Sequence, residues 1–595
     1  MATKMNKKNN IKTSWNLKLL YDGIDDPKIK RDTDAFVRAC EAFEKKYKKG
    51  KPYLKNDAAL LSALRDTEKI ESMPSPFLYL YFLTDLDGKN DAARALEARL
   101  SDVCKKAGNK IIFFGLDIAK IEKSRQKKLL ADKKFATYRY FLEKIFESAK
   151  HQLTEPEEKI LTLVGSQSRS MWIDGNQKLL QSISVDWKGK KISLGDAINK
   201  IRDLSVRDGR ELHKKCVTLL KNSSHFAEAE LNAVYYDKKI KDELRHYEKP
   251  YSSTASSHQV KESTIDTLIA AVSGSFSIAH EFFALKKKLL GVKELEYPDR
   301  AKSIGTTRKE VSFEHGYELI KSAFTNADPE YRKIIEAFAQ NGQIDVFPKL
   351  GKTSGAYSVS KTASHPGFVL LNWSDSPDAV MTFGHEMGHA VHGVRSADSQ
   401  PVFYEGHSTA TAEVASTFFE NFAFEELLKE MSDEEKAIAL HDRIQDDIQT
   451  IYRQVACFNF ELALHEAVRK DGYVPKEKIA VLMNEHMKSY LGPDFKLNDE
   501  DGYFFVYWSH IRNFFYVYSY AFGQLISKAL YARVKKDPSY MKKVDEFLCA
   551  GESDTPEHIF KKIGIDVTKP EFWKEGLASI KADIARLKKL TRKKK

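Results

Sequence analysis

Residues 379–391 read AVMTFGHEMGHAV and contain the only HExxH of the 595-residue chain, at His385-Glu386-Met387-Gly388-His389. Ala379, Val380, Met381 and Phe383, then Met387, Ala390 and Val391, recur at helical spacing, which predicts a helix here. Histidines four apart on a helix share one face about a turn from each other, so both imidazoles can reach one ion. Zn²⁺ takes imidazole nitrogen at roughly 2.0–2.1 Å, and a catalytic site stops at three protein ligands. Glu386 then stands where a general base for metal-assisted peptide hydrolysis is needed. Gly384 and Gly388 each weaken a helix by up to ~1 kcal/mol, and room for a metal and for close packing is one compensation. His392, three residues on, is read as structural, because a fourth protein ligand would close the site. His280-Glu281 and His465-Glu466 lack the second histidine and are read as ordinary helix positions.

The third ligand is expected from a second helix, Thr409 to Leu428 (TATAEVASTFFENFAFEELL). Glu413 enters an otherwise small and apolar face (Ala412, Val414, Ala415, Phe418), where an unpaired carboxylate is costly and a metal is a suitable partner. Glu420, seven residues later on the same face, is a candidate to hold a ligand imidazole from behind.

An apolar content of 42% and a charged content of 30% describe a globular chain long enough for several cores. No stretch is expected to approach the ~18–20 consecutive apolar residues of a membrane span, so no membrane partner is expected. The opening MATKMNKKNN has no apolar run after its lysines and is not read as a secretory signal. Cys40, Cys104, Cys216, Cys457 and Cys549 are scattered, odd in number and without CxxC spacing, which fits a reducing compartment and predicts a cytoplasmic protein. The net charge of +12 sits partly in Lys4, Lys7 and Lys8 and in Arg586, Lys588, Lys589, Arg592 and Lys593 to Lys595. These are read as solvated tails; no nucleic-acid module is visible, and no specific nucleic-acid partner is expected.

Charged-amphipathic segments dominate, among them 92–124, 196–222, 226–243, 263–291, 376–395, 409–431, 433–470 and 511–535. Strand-like alternation is local. Residues 183–194 (ISVDWKGKKISL) read as a hairpin turning near Lys188-Gly189, and 356–360 and 367–372 as two short strands before the HExxH. The fold class expected is mainly α, with a small sheet beside the catalytic helix.

On these residues the chain resembles oligoendopeptidase F, in the thimet-type family of zinc metallopeptidases. The likeness runs over most of the length: Trp15-Asn16-Leu17 with Leu20-Tyr21, Tyr138 to Lys159, Lys287 to Gly291, Gly351-Lys352, Gly355-Ala356-Tyr357, His365-Pro366, Leu371-Asn372, the HExxH with Glu413, Phe460-Glu461, Trp508 to Gly523 and Phe572-Trp573. It implies an N-terminal helical lobe over 1–195, including the hairpin, and a catalytic domain over 196–595. Two helical lobes would enclose a deep channel that admits short unfolded oligopeptides. It implies one Zn²⁺ per chain on His385, His389 and Glu413, with Glu386 as base and proton shuttle. His510, with Tyr516 or Tyr520, would stabilise the oxyanion. Tyr516 and Tyr520 would share a helix face, with Tyr518 pointing elsewhere. Gly355, Ala356 and Tyr357 would line the channel. The strand from Gly367 and Phe368 would be an exposed edge pairing with substrate backbone. A monomer or homodimer is expected. One alternative is a carboxypeptidase or dipeptidyl carboxypeptidase using Arg512 or Arg453 as a carboxylate clamp; another is a non-catalytic peptide-binding protein.

Overall fold

Amphipathic runs become helices, and in places two become one. Segment 196–222 divides, its first residues lying in the short helix Leu194–Lys200, and the rest merges with 226–243 into the 39-residue helix Val206–Leu244, which starts where Ser205 caps the Asp208 amide and buries Leu212, Val217, Leu220, Leu231 and Val234. The computed structural model describes residues 11–307 and 309–592. The opening MATKMNKKNN, with Lys4, Lys7 and Lys8, and the terminal Lys593, Lys594 and Lys595 lie outside the described residues. Strands are short: β1 (Ser184–Trp187), β2 (Lys190–Ser193), β3 (Leu295–Glu296), β4 (Ile344–Asp345), β5 (Tyr357–Val359), β6 (Phe368–Leu370) and β7 (Phe495–Lys496). The chain is mainly α.

Two compact units interleave along the sequence. The first takes Met1–Lys150, Lys309–Lys429 and Arg533–Ile563; the second takes His151–Arg308, Glu430–Ala532 and Gly564–Lys595. In the first, Phe43, Tyr47, Tyr53, Leu64, Phe114, Phe135 and Leu142 form one apolar core. A second cluster sets Trp15 and Phe82 against Phe368 and Leu370 of a three-stranded sheet. That sheet has the order β4-β6-β5, with β4 parallel and β5 antiparallel to β6. Trp15 Nε1 donates to the Val369 carbonyl at 2.8 Å. The expectation that the strand from Gly367 is an exposed edge is therefore corrected: β6 is the central strand, paired on both sides, and Phe368 is fully buried.

In the second unit β1 and β2 form the hairpin, with Lys188 and Gly189 both at positive φ (50° and 79°), as a tight two-residue turn requires. The segment 263–291 divides into helices Glu262–Ser273 and Phe276–Leu290. By length and composition alone, Glu262–Leu290 is apolar enough to cross a membrane (mean hydropathy 1.5 over its most apolar 18-residue window), although Ser273, Ser275, Ser277, His280 and Glu281 interrupt it and it holds no run of 18 consecutive apolar residues. The helical run breaks at Gly274-Ser275, and buried Lys286 donates to the Arg300 carbonyl at 2.9 Å and to Gln445. The expected helix over 511–535 begins later. Ser509–Arg512 is a 3₁₀ turn, residues 513–517 are an irregular turn, and the helix runs Tyr518–Lys536.

Candidate active site

The motif helix, Pro377–Ser399, opens with Ser376 accepting from the Ala379 amide, Pro377 in its first turn and Asp378 beside its positive end. It packs against the glutamate helix, Thr409–Lys429, in an antiparallel crossing: Gly384 faces Ala423 and Gly388 faces Ser416. A Cβ on Gly388 would lie 2.7 Å from Ser416 Cα and 3.2 Å from the Ala415 carbonyl. Glycine there lets two backbones approach closely, and this close approach offsets its cost to the helix.

The crossing brings His385, His389 and Glu413 together, with ligand atoms all within 4.8 Å of one another. Glu413 Oε2 is 3.3 Å from His385 Nε2 and 3.7 Å from His389 Nε2. Two ligands at tetrahedral positions about one Zn²⁺ stand roughly 3.3 Å apart, given bonds of about 2.05 Å, so the donor set fits such an ion. His385 Nδ1 hydrogen-bonds Glu420, which fixes the tautomer with Nε2 free to bind metal. Ser416 Oγ donates to Glu413 Oε2 at 2.9 Å, an orienting contact the sequence reading missed, although its i,i+3 spacing could have suggested it.

Burial, with the Glu413 and Glu420 carboxylates adding, pushes Glu386 up to about 7 against the pull of His385. For Glu413, burial raises the carboxyl, but the bond from His385 and the nearby imidazoles outweigh it and bring it down to about 2. Burial lowers His385, and its bonds to Glu413 and Glu420 more than reverse this. Burial, with the charge of His385, takes His389 down to about 4. Three carboxylates around two imidazoles thus favour a positive charge, which a divalent cation supplies. His392 is buried and stacks on His407 (centroids 3.6 Å apart), outside the cluster.

The same unit supplies a strand edge packed against the motif helix. Val369 and Leu371 donate their amides toward β4, to the carbonyls of Gln343 and Asp345. Phe368 and Leu370 therefore face β5, opposite Val359 and Tyr357. By the alternation of an antiparallel ladder, the Ser358 amide and carbonyl point away from the sheet, as the free edge of β5. Tyr357 is half-buried and bonds Asp85 through its hydroxyl, Gly355 is exposed at φ +83°, and Ala356 lies between them. Gly367 is buried; its carbonyl accepts from Gln343 Nε2 at 2.6 Å, and a Cβ there would meet Phe338 at 3.0 Å. Gly367 and Phe368 thus sit inside the sheet, and Ser358 takes the edge position.

In the second unit His510, Tyr516 and Tyr520 converge. Their rings lie 5.5 Å (His510–Tyr516), 5.9 Å (His510–Tyr520) and 5.7 Å (Tyr516–Tyr520) apart, centroid to centroid. His510 Nδ1 and the Tyr516 hydroxyl are hydrogen-bonded. Burial and the charge of Arg453 lower His510 to about 4, and burial with Tyr520 raises Tyr516, so both are neutral hydrogen-bonding groups near neutral pH. Tyr516 lies in the turn, not on the helix, which corrects the expected shared helical face. Tyr518 is buried with its hydroxyl 2.9 Å from His258 Nδ1, outside the cluster. Arg512 is buried in a two-pronged pair with Glu230 (2.7 Å each), and the Arg453 guanidinium lies 4.2 Å from the Trp508 ring centre.

Residues 200–579 match the model of peptidase family M3, and residues 117–180 match that of oligopeptidase F. The group B oligopeptidase PepB of Streptococcus agalactiae is 27% identical over 512 residues, 83% of this chain and 84% of that protein. An oligoendopeptidase F homolog of Borreliella burgdorferi is 24% identical over 593 residues, 97% of this chain and 98% of its own. Among solved structures, a Chlamydophila abortus chain described as a peptidase superposes with a TM-score of 0.88 at 23% identity, over 97% of this chain and 98% of that one. Oligoendopeptidase-F of Enterococcus faecium gives 0.68 at 20% identity, over 95% and 99%. At these identities the structures share the fold.

Proposed function

The chain belongs to peptidase family M3, and from that premise we propose that it is a zinc-dependent endopeptidase cleaving internal bonds of short, unfolded oligopeptides in the cytoplasm. Membership makes it a metal-dependent peptidase of the oligoendopeptidase F kind. The observation that carries the finer reading is the cluster of His385, His389 and Glu413 with Glu386 beside it on the same helix. We assign one Zn²⁺ to the three ligands and the orientation of His385 to Glu420. When bound, the ion supplies Lewis acidity toward the scissile carbonyl and lowers the pKa of water. Glu386 takes the proton of the attacking water and returns it to the leaving amine. The His510–Tyr516 pair, with one of its two protons held in their mutual hydrogen bond, presents one donor to the oxyanion of the tetrahedral intermediate, worth about 2.7–4 kcal/mol; Tyr520 packs beside them.

The substrate backbone pairs with the free edge of β5 through the Ser358 amide and carbonyl, which gives affinity with little side-chain selectivity. The burial of Arg512 in its two-pronged pair with Glu230 leaves that guanidinium unavailable as a carboxylate clamp, which favours the endopeptidase over an exopeptidase that uses Arg512. The sequence boundary near residue 195 falls between the two family matches, in support of a catalytic domain over 196–595.

The test is hydrolysis of an internally quenched, end-blocked peptide of roughly ten residues, with chelator and with zinc restored. Internal cleavage that chelation abolishes and zinc restores is expected, with Glu386→Gln retaining metal and losing turnover. Cleavage of free-ended peptides only would favour the exopeptidase; full activity of Glu386→Gln would remove the mechanism.

A further inference from the structure

Glu461 lies on the helix Arg453–Asp471 with its side chain fully buried. Its Oε1 accepts the Phe515 amide at 3.0 Å, while Oε2 is buried with no hydrogen-bond partner. His465 Nε2 is 3.9 Å from Oε1, beyond a hydrogen bond. A buried carboxyl with one backbone contact is a costly choice where an apolar side chain would pack. The backbone it touches explains the choice. Phe514 and Phe515 both have positive φ (45° and 63°), two bulky L residues in succession in the left-handed region. Such a conformation is unfavourable for a bulky L residue and persists only where the surroundings over-determine it.

The surroundings can be named. Thr254 Oγ1 donates to the Phe514 carbonyl at 2.8 Å, and Glu461 takes the next amide. Upstream, the Tyr235 hydroxyl donates to the Ile511 carbonyl at 3.0 Å, and Arg169 Nη2 to that of Arg512 at 2.8 Å. The residue that leaves this double left-handed turn is Tyr516, and its hydroxyl meets His510 Nδ1.

We propose that Glu461 is a positioning residue: by accepting the Phe515 amide it fixes the left-handed pair that delivers the Tyr516 hydroxyl to His510. This rests on the reading of the hydrogen-bonded Tyr516–His510 pair as the oxyanion donor. Burial raises the Glu461 carboxyl well above the usual carboxylate range, so the neutral acid is the relevant form and glutamine is its close isostere, with the accepting oxygen kept. Leucine keeps the volume and removes the acceptor.

The experiment measures kcat and KM of the zinc-loaded full chain on the quenched peptide for Glu461→Gln, Glu461→Leu, Tyr516→Phe and the Glu461→Leu/Tyr516→Phe double variant. It also follows the ring-nitrogen NMR signals of His510. Glu461→Gln is expected within about twofold of the parent in kcat, whereas Glu461→Leu lowers kcat by roughly tenfold to a hundredfold with little change in KM, as a misplaced catalytic group does. The double variant should be no slower than Tyr516→Phe alone, and Glu461→Leu should move the His510 signals as Tyr516→Phe does. Multiplying effects in the double variant, unmoved His510 signals, or equal damage from glutamine and leucine would each overturn the proposal. Should Glu461→Leu not fold, Thr254→Val loosens the same turn from its other side and is judged by the same coupling to Tyr516→Phe. If Tyr516→Phe keeps full kcat while Glu461→Leu still shifts His510, the positioning stands and the oxyanion reading of Tyr516 fails.

Discussion

Replacing Glu420 with alanine tests the metal centre through a residue that is not itself a ligand. Its carboxylate holds His385 Nδ1, and its side chain is 30% exposed. Without it the His385 ring loses its enforced tautomer, so part of the population carries the proton on Nε2, the atom that faces Glu413 at 3.3 Å. Losing such an outer partner costs roughly 10–100-fold in metal affinity, which is about 1.4–2.7 kcal/mol. The neighbouring contacts set a scale on either side. Ser416→Ala removes a hydrogen bond to the ionised Glu413 carboxylate, worth about 1.5–3 kcal/mol in all, but that bond is made with or without the metal, so its loss should weaken metal binding less. Glu413→Ala removes one of three ligands and should weaken it most. Competition against a chromophoric zinc chelator measures all three on one axis. Wild-type affinity in Glu420→Ala, or a larger loss in Ser416→Ala than in Glu420→Ala, would refute the assignment of Glu420.

Ser358→Pro deletes an amide that points away from β6 and spares the ladder pairs at Tyr357 and Val359; kcat/KM should fall about tenfold for one lost backbone bond, with the melting temperature nearly unchanged. An unaltered kcat/KM would mean that β5 does not receive substrate. Gly388→Ala places a methyl 2.7 Å from Ser416 Cα, so the two helices must part; metal affinity and melting temperature should fall together, and a loss of only one would argue against the close crossing as the cause. His441, in the second unit, has a side chain with no exposure, and burial lowers it to about 4. As pH falls below about 6.5 the unfolded chain binds a proton that the folded chain refuses, so stability present above 6.5 is lost toward pH 4, on the order of 3 kcal/mol for this group. The denaturant midpoint of wild type should therefore fall relative to that of His441→Gln as the pH drops from about 6.5 toward 4, whatever their difference at neutral pH; parallel pH profiles would exclude His441 as a source of acid lability.

What the sequence made legible was chemistry carried by local spacing. His385, Glu386 and His389 fall on one helical face by periodicity alone, and Glu413 betrays itself as an acid among small and apolar neighbours. The closeness of the two helices was half visible in Gly384 and Gly388, glycines that a helix does not otherwise favour. Positions set by distant parts of the chain were not legible. Phe368 to Leu370 reads as a strand anywhere, but whether it is an edge depends on β4, two residues long and more than twenty positions upstream. Tyr516 and Tyr520 look like one helical face, because nothing in two successive phenylalanines announces positive φ. That conformation comes from Thr254 and Glu461, 260 and 54 residues from the carbonyl and amide they hold. The same logic explains why Glu461 passed as part of a family likeness and not as a candidate. Its partner is a backbone amide, which has no residue type to pattern-match, and its effect appears only one residue further on, in the direction Tyr516 takes.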